Sequence, residues 1–256
     1  MPTFTRLYPD RAEGLTAVDV ASELPGPIPG GRPFMCLNMI ATADGRATVK
    51  GRAGTIANEA DYQLFHATRA RMDGILVGAE TIRVESYGRA INNAEARERR
   101  QREGKPADIV TVVASRSVSL PPDVGLLKAA ENVVVMLTPS PDAVLSDGAA
   151  ATVRYLRDED VVAGVRRLRT EHGIDAIVCE GGPNLNATLL PAGVVDELHL
   201  VYAPKLAGGP DPLTILTGPE LDPPIELGLL TLHESGGYLF CRYGVRVGAA
   251  AAANVG

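Results

Sequence analysis

A carboxylate set beside a glycine turn, between a strand and a helix, combines two chemical capacities. The turn can cradle a phosphate-bearing ligand, and the acid can act on a second ligand held next to it. Residues 175–190 carry that combination: Asp-Ala-Ile-Val-Cys-Glu-Gly-Gly-Pro-Asn-Leu-Asn-Ala-Thr-Leu-Leu. Ala176 to Cys179 has the continuous apolar character of a buried parallel strand. Glu180 sits at its carboxyl end, Gly181, Gly182 and Pro183 make the turn, and Leu185 to Leu190 has helical spacing. Glycines let another molecule approach the backbone, and a helix start offers free N–H groups and a positive dipole end. The plain alternative is a structural turn with a solvated glutamate.

Other strand ends carry similar groups. Asp44-Gly45 follows an apolar run from Phe34 to Ile40, although an aspartate there also fits an ordinary turn. Gly78-Ala79-Glu80-Thr81 follows Ile75-Leu76-Val77 and resembles the Glu180 module, and Ser115-Arg116 follows the β-branched stretch Asp108 to Ala114. Cys36, Cys179 and Cys241 lie far apart in apolar runs and read as buried strand residues. His66, His172, His199 and His233 have no ligand-like spacing, so no metal is expected.

Positioning these groups requires a particular fold. Strand-like and helix-like segments alternate from 34 to 200, which argues an α/β fold with a mainly parallel central sheet flanked by helices. The pair 226–232 and 238–247, joined at Ser235-Gly236-Gly237, adds a C-terminal antiparallel hairpin at one edge. Asn58 is placed to cap a helix over 59–71, and Asp158 a helix reaching about Glu171. Ligands of such sheets collect at strand carboxyl ends. That rule gathers Asp44, Gly78 to Thr81, Ser115-Arg116 and Glu180 to Asn184 around one cleft.

Three segments are expected. Residues 1–32 are an N-terminal extension ending in a Pro/Gly linker, with one short helix within 15–24. Residues 33–247 are the main domain, and the alanine-rich 248–256 is a disordered tail. The chain has 256 residues, a net charge of -6 and a pI near 5.3. No basic footprint for nucleic acid stands out. Arg97 to Arg102 is interleaved with glutamate and reads as a solvated helix or mobile loop. No leader-like or membrane-length apolar run is present, which points to a cytoplasmic protein with no membrane partner.

Four motifs in order carry a family resemblance: the Asp44-Gly45 strand end, Val77-Gly78-Ala79-Glu80-Thr81, Cys179-Glu180-Gly181-Gly182-Pro183, and Ala203-Pro204-Lys205-Leu206-Ala207-Gly208-Gly209. Together they resemble the reductase domain of the bacterial riboflavin-biosynthesis deaminase/reductase family, over about 33–247. The resemblance implies a dihydrofolate-reductase-like fold, a homodimer and NADPH as cofactor. The implied substrate is a small heterocycle, 5-amino-6-(5-phosphoribosylamino)uracil or the related diaminopyrimidinone, whose ribosyl group is reduced to ribityl. The family's zinc-deaminase ligands, His-x-Glu and Cys-x-x-Cys, are absent, so the likeness is to a stand-alone pyrimidine reductase.

By position, the resemblance places Ala41, Thr81, Ser115 and the turn Gly181, Gly182, Pro183, Asn184, Leu185 against the cofactor. It places Arg69, Glu85 and Glu180 against the substrate. A planar guanidinium suits phosphate. Arg116 is therefore read as a partner for a 2′-phosphate, and Arg69 as one for the substrate phosphate. Glu180 is the first candidate for the proton donor, with Asp44 or Glu85 as support. The chain departs from the family at Asn38, where lysine is usual, and at Thr42-Ala43, where Ser-Leu is usual. Ala53-Gly54-Thr55 replaces Ser-x-Trp, and Glu85-Ser86-Tyr87 replaces Asp-Asp-Pro. These departures keep two alternatives open: a pterin-type reductase such as one for dihydrofolate, and a non-catalytic nucleotide-binding protein.

Overall fold

The computed structural model describes residues 1–25, 30–85, 87–146, 148–210 and 212–246. The expected disordered tail, the strand end at Val247 and part of the Pro/Gly linker therefore lie outside the described residues. In chain order the strands are β1 (Phe4–Tyr8), β2 (Ala12–Leu15), β3 (Phe34–Thr42), β4 (Gly74–Gly78), β5 (Val110–Ala114), β6 (Val133–Thr138), β7 (Thr152–Arg157), β8 (Ala176–Cys179), β9 (Glu197–Ala203), β10 (Glu226–Ser235) and β11 (Tyr238–Arg246). The helices are α1 (Ala17–Ser22), α2 (Glu59–Arg71), α3 (Ala79–Glu85), α4 (Ala94–Arg102), α5 (Gly125–Lys128), α6 (Val161–His172) and α7 (Pro183–Leu189). The fold is α/β, as expected. The chain forms two compact units, one of Met1–Glu23, Met35–Leu64 and Pro183–Gly256, the other of Leu24–Phe34 and Phe65–Gly182.

In the second unit the strands run in the order β8-β4-β5-β6-β7, every neighbouring pair parallel. Strands β4 and β8 read Gly-Ile-Leu-Val-Gly and Ala-Ile-Val-Cys and are almost wholly buried. Parallel strands covered on both faces have this continuous apolar character. Asp160, not Asp158, caps α6: its side chain accepts the Ala163 N–H at 2.8 Å from an extended backbone. Asp158 instead pairs with Arg167 at 2.7 Å. The charged run read as a solvated segment is helix α4, but one of its arginines, Arg100, is 1% exposed.

In the first unit the order is β2-β1-β10-β11-β9-β3, antiparallel except for the parallel pair β9–β3. The hairpin β10–β11 turns through Gly236 and Gly237, both at positive φ (59° and 81°), the conformation a two-residue primed turn requires. It is not the outermost element. The segment read as an extension supplies β1, which pairs with β10, and β2 beyond it. Phe4 anchors this addition, fully buried with its ring 5.1 Å from Phe240 in an edge-on contact. Helix α1 is the short helix expected within 15–24, and Thr16 and Asp19 close a capping box at its start.

Candidate active site

In the second unit, adjacency of β8, β4 and β5 brings three of the sequence-selected strand ends side by side: Glu180 to Gly182, Gly78 to Thr81, and Ser115-Arg116. The two glycine modules touch. The Gly78 N–H donates to the Gly181 carbonyl at 2.8 Å, and the Gly181–Gly182 peptide is cis. A Cβ on Gly182 would stand 3.1 Å from Thr81 Oγ1, so any larger residue would crowd the threonine. Ser115 is buried, its N–H bonded to the Leu137 carbonyl at 3.0 Å, while Arg116 is exposed. Glu85, the last residue of α3, is half-buried.

Glu180 is the most constrained acid of this unit. Arg69 Nε donates to its Oε1 at 2.6 Å and Arg69 Nη2 to its Oε2 at 2.7 Å. The Tyr87 hydroxyl donates to the same Oε2 at 2.6 Å. The side chains of Arg69 and Glu180 are 9% and 3% exposed. Arg69 Nη1 also donates to the Ala90 carbonyl at 3.2 Å, and its guanidinium lies 4.2 Å from the Phe65 ring centroid. Burial works against the charge of Arg69, but attraction to Glu180 outweighs it and raises the guanidinium above its ordinary value. Burial, reinforced by the Glu180 charge, pushes the Tyr87 phenol well above its usual range. Burial also pushes the neighbouring Cys179 thiol up to about 12, which removes it as a thiolate nucleophile.

These contacts bear on two of the expected roles. Arg69 was expected to hold a substrate phosphate, but its guanidinium is buried and committed to Glu180, Ala90 and an aromatic face. Glu180 was expected to donate a proton, but its oxygens accept from a permanently charged guanidinium and from a phenol. A carboxylate so placed acts as an acceptor. Sequence reading missed the role of Tyr87. It noticed the residue only as a departure from Asp-Asp-Pro, and nothing in its spacing pointed to a carboxylate 93 residues away.

In the first unit, parallel pairing of β3 with β9 brings Asp44 beside the 203–209 loop. Thr42 Oγ1 donates to Asp44 at 2.5 Å, and the Gly208 and Ala207 N–H groups at 2.7 and 3.2 Å. Arg46 donates to the carbonyls of Gly208 and, at 3.1 Å, Gly209. The Thr42 hydroxyl, with the Gly208 and Ala207 N–H groups behind it, holds the Asp44 carboxyl down at about 2. Asp44 is therefore ionised near neutral pH and clasps a loop. Ala41 is buried near the end of β3, and Pro183, Asn184 and Leu185 open α7, with Asn184 exposed.

Comparison with known proteins gives the family. The model of the RibD C-terminal domain matches residues 33–236. The chain belongs to the RibD C-terminal domain family. It is 30% identical over 215 residues to the 2,5-diamino-6-ribosylamino-4(3H)-pyrimidinone 5′-phosphate reductase of Methanothermobacter thermautotrophicus, covering 80% of this chain and 93% of the relative. It is 27% identical to the reductase of the same name from Archaeoglobus fulgidus, over 73% of this chain and 87% of that one. Among solved structures, a pyrimidine reductase-like protein of Corynebacterium diphtheriae superposes with a TM-score of 0.70 at 22% identity, covering 91% of this chain and 99% of that one. The riboflavin biosynthesis reductase Rib7 of Saccharomyces superposes with a TM-score of 0.61 at 15% identity, over 90% and 96%. These two likenesses concern the fold.

A carboxylate whose folded-state value lies below its unfolded one stabilises the fold above the unfolded value and loses that contribution as pH falls through the folded one. For Asp44 the window runs from about 4 down to about 2. Asp44→Asn is expected to be less stable than the parent near neutral pH. The gap in melting temperature should close as the pH approaches 2, as acid titrations of both proteins would show.

Proposed function

We propose that the protein is a NADPH-dependent reductase of riboflavin biosynthesis. It would reduce the ribosylamino group of a pyrimidine 5′-phosphate to the ribitylamino form, with residues 33–247 as the reductase domain. The observation that carries this reading is the similarity to the archaeal pyrimidinone phosphate reductases over nearly their whole length. The second unit fits a dinucleotide. Paired glycines at the end of β8 abut the glycine that ends β4, with no side chain between the turn and Thr81. Bound there, NADPH would supply the hydride.

Thr81, Ser115, Gly181 and Gly182 would hold the cofactor, with Ala41, Pro183, Asn184 and Leu185 added by the family resemblance. Arg116, exposed just past β5, would meet a 2′-phosphate. Glu85 is retained as a substrate contact. Glu180 is given an orienting role in place of a proton-donating one. One observation favours a second reading, reduction of a pterin: Arg69, the guanidinium expected on the substrate phosphate, is committed inside the protein. A heterocycle without phosphate would not need it.

A homodimer also fits. Leu227 and Leu229 on β10, Leu239 on β11 and Tyr202 on β9 are each 37–41% exposed. The register sets Leu239 opposite Tyr202, Tyr243 opposite Leu229 and Val245 opposite Leu227, so one sheet face carries this apolar set. We propose a second copy of the chain as its cover. Sedimentation should find a dimer whose dissociation is promoted by Leu229→Arg. A monomeric parent would remove the proposal.

Activity is tested by NADPH oxidation. Turnover with the ribosylamino-pyrimidine phosphate and none with dihydrofolate supports the first reading, and the reverse supports the second. Cofactor binding without turnover on either leaves a nucleotide-binding protein. Arg116→Ala is expected to weaken NADPH by roughly tenfold or more while changing NADH little, the scale of a charge-assisted contact. Equal loss for both cofactors would exclude the 2′-phosphate role.

A further inference from the structure

Within the second unit, three chain segments converge on one carboxylate. Helix α2 arrives through Arg69, the segment after α3 through Tyr87, and β8 runs into Glu180 itself, whose N–H donates to the Leu76 carbonyl at 2.9 Å. The carboxylate is sealed from solvent and its oxygens hold three donors, so its influence passes through the backbone it anchors. The next residues along that backbone are Gly181 and Gly182.

Both donors are held from behind. The Tyr87 ring packs on the core cluster that includes Val77, Ile82, Val124 and Leu126, and its carbonyl accepts the Leu126 N–H at 2.8 Å. Arg69 lies against Phe65, with the Tyr87 ring centroid 5.5 Å away on its other contact. Both donor residues are thus tied to the surrounding structure as well as to the carboxylate. A fixed phenol and a fixed guanidinium therefore define the position of Glu180 to within hydrogen-bond tolerance.

We propose that Tyr87, together with Arg69, is a positioning residue for the Gly181–Gly182 turn: by fixing the Glu180 carboxylate it sets the glycine backbone that receives the phosphates of the dinucleotide. The inference rests on the cofactor reading above. It moves the Arg69–Glu180–Tyr87 cluster from the substrate to the cofactor turn. The alignment of Gly181 on Gly78, and the narrow gap between Gly182 and Thr81, both depend on where Glu180 places the chain.

Tyr87→Phe is the clean probe. It removes one hydrogen bond and leaves the ring packing and the Arg69–Glu180 pair in place. NADPH titration of the full chain, followed by fluorescence of the reduced nicotinamide, should show a Kd about tenfold higher in the variant. The KM for the turned-over substrate at saturating NADPH should stay within about twofold, since the proposal assigns Tyr87 no contact with it. Glu180→Asp, which keeps a carboxylate but shortens its reach to Arg69 and Tyr87, should show the same split and carries the test if Tyr87→Phe does not fold. An unchanged NADPH Kd with a raised substrate KM would overturn the proposal and return the cluster to the substrate side. A parent protein that binds no NADPH would overturn the cofactor reading itself, a result distinct from either variant outcome.

Discussion

The buried ion pair between Arg69 and Glu180 is the constraint around which the second unit is arranged. Removing two charges from water is costly, and their attraction repays that cost only with good geometry and further hydrogen bonds. Both conditions are met here: a two-pronged guanidinium–carboxylate contact, a phenol on the carboxylate and a carbonyl on the guanidinium. Deleting either charge would strand the other, at a cost of about 3–5 kcal/mol in comparable buried pairs. The arrangement thus sets the order of three segments, the end of α2, the chain after α3 and the end of β8, more than it adds net stability.

That constraint explains which parts of the site were legible beforehand. Glu180, Gly181 and Gly182 stand out because a short apolar strand, an acid and a glycine pair form a local pattern. Gly78 to Thr81 stands out for the same reason, and the meeting of the two modules follows from parallel pairing of their strands. The role of Glu180 was not legible. Its partner on α2 lies 111 residues away, and a carboxylate reads as acid or acceptor only once its neighbours are known. Asp44 repeats the lesson in part: the Thr42 hydroxyl that does most to hold it ionised lies two residues away, but the N–H groups that add to it come from a loop more than 160 residues distant.

Elements with continuous apolar runs, β3, β4, β5 and β8, were recoverable within a residue or two. The N-terminal strands were not. Phe-Thr-Arg-Leu-Tyr and Ala-Glu-Gly-Leu are short and mixed, and become strands because β10 offers an open edge that their backbone can complete. The cap of α6 shows a finer limit. Asp158 and Asp160 are equivalent by composition, and the choice falls to the one whose backbone is extended while the other turns to Arg167.

Arg100 carries a different consequence. Its Nε donates to the Pro106 carbonyl at 2.8 Å, and Nη1 to those of Ala70 and Met72 at 2.8 and 2.7 Å. It thereby closes the C-terminal turn of α2, just past Arg69. The surrounding Arg-Glu-Arg-Arg-Gln-Arg string looks freely exchangeable, yet it contains one position without a stand-in. Lysine carries its charge on a single ammonium at the end of a pliant stem and lacks the rigid planar fork whose two nitrogens reach three carbonyls here. A basic tract chosen at first glance for solubility thus hides a fastener.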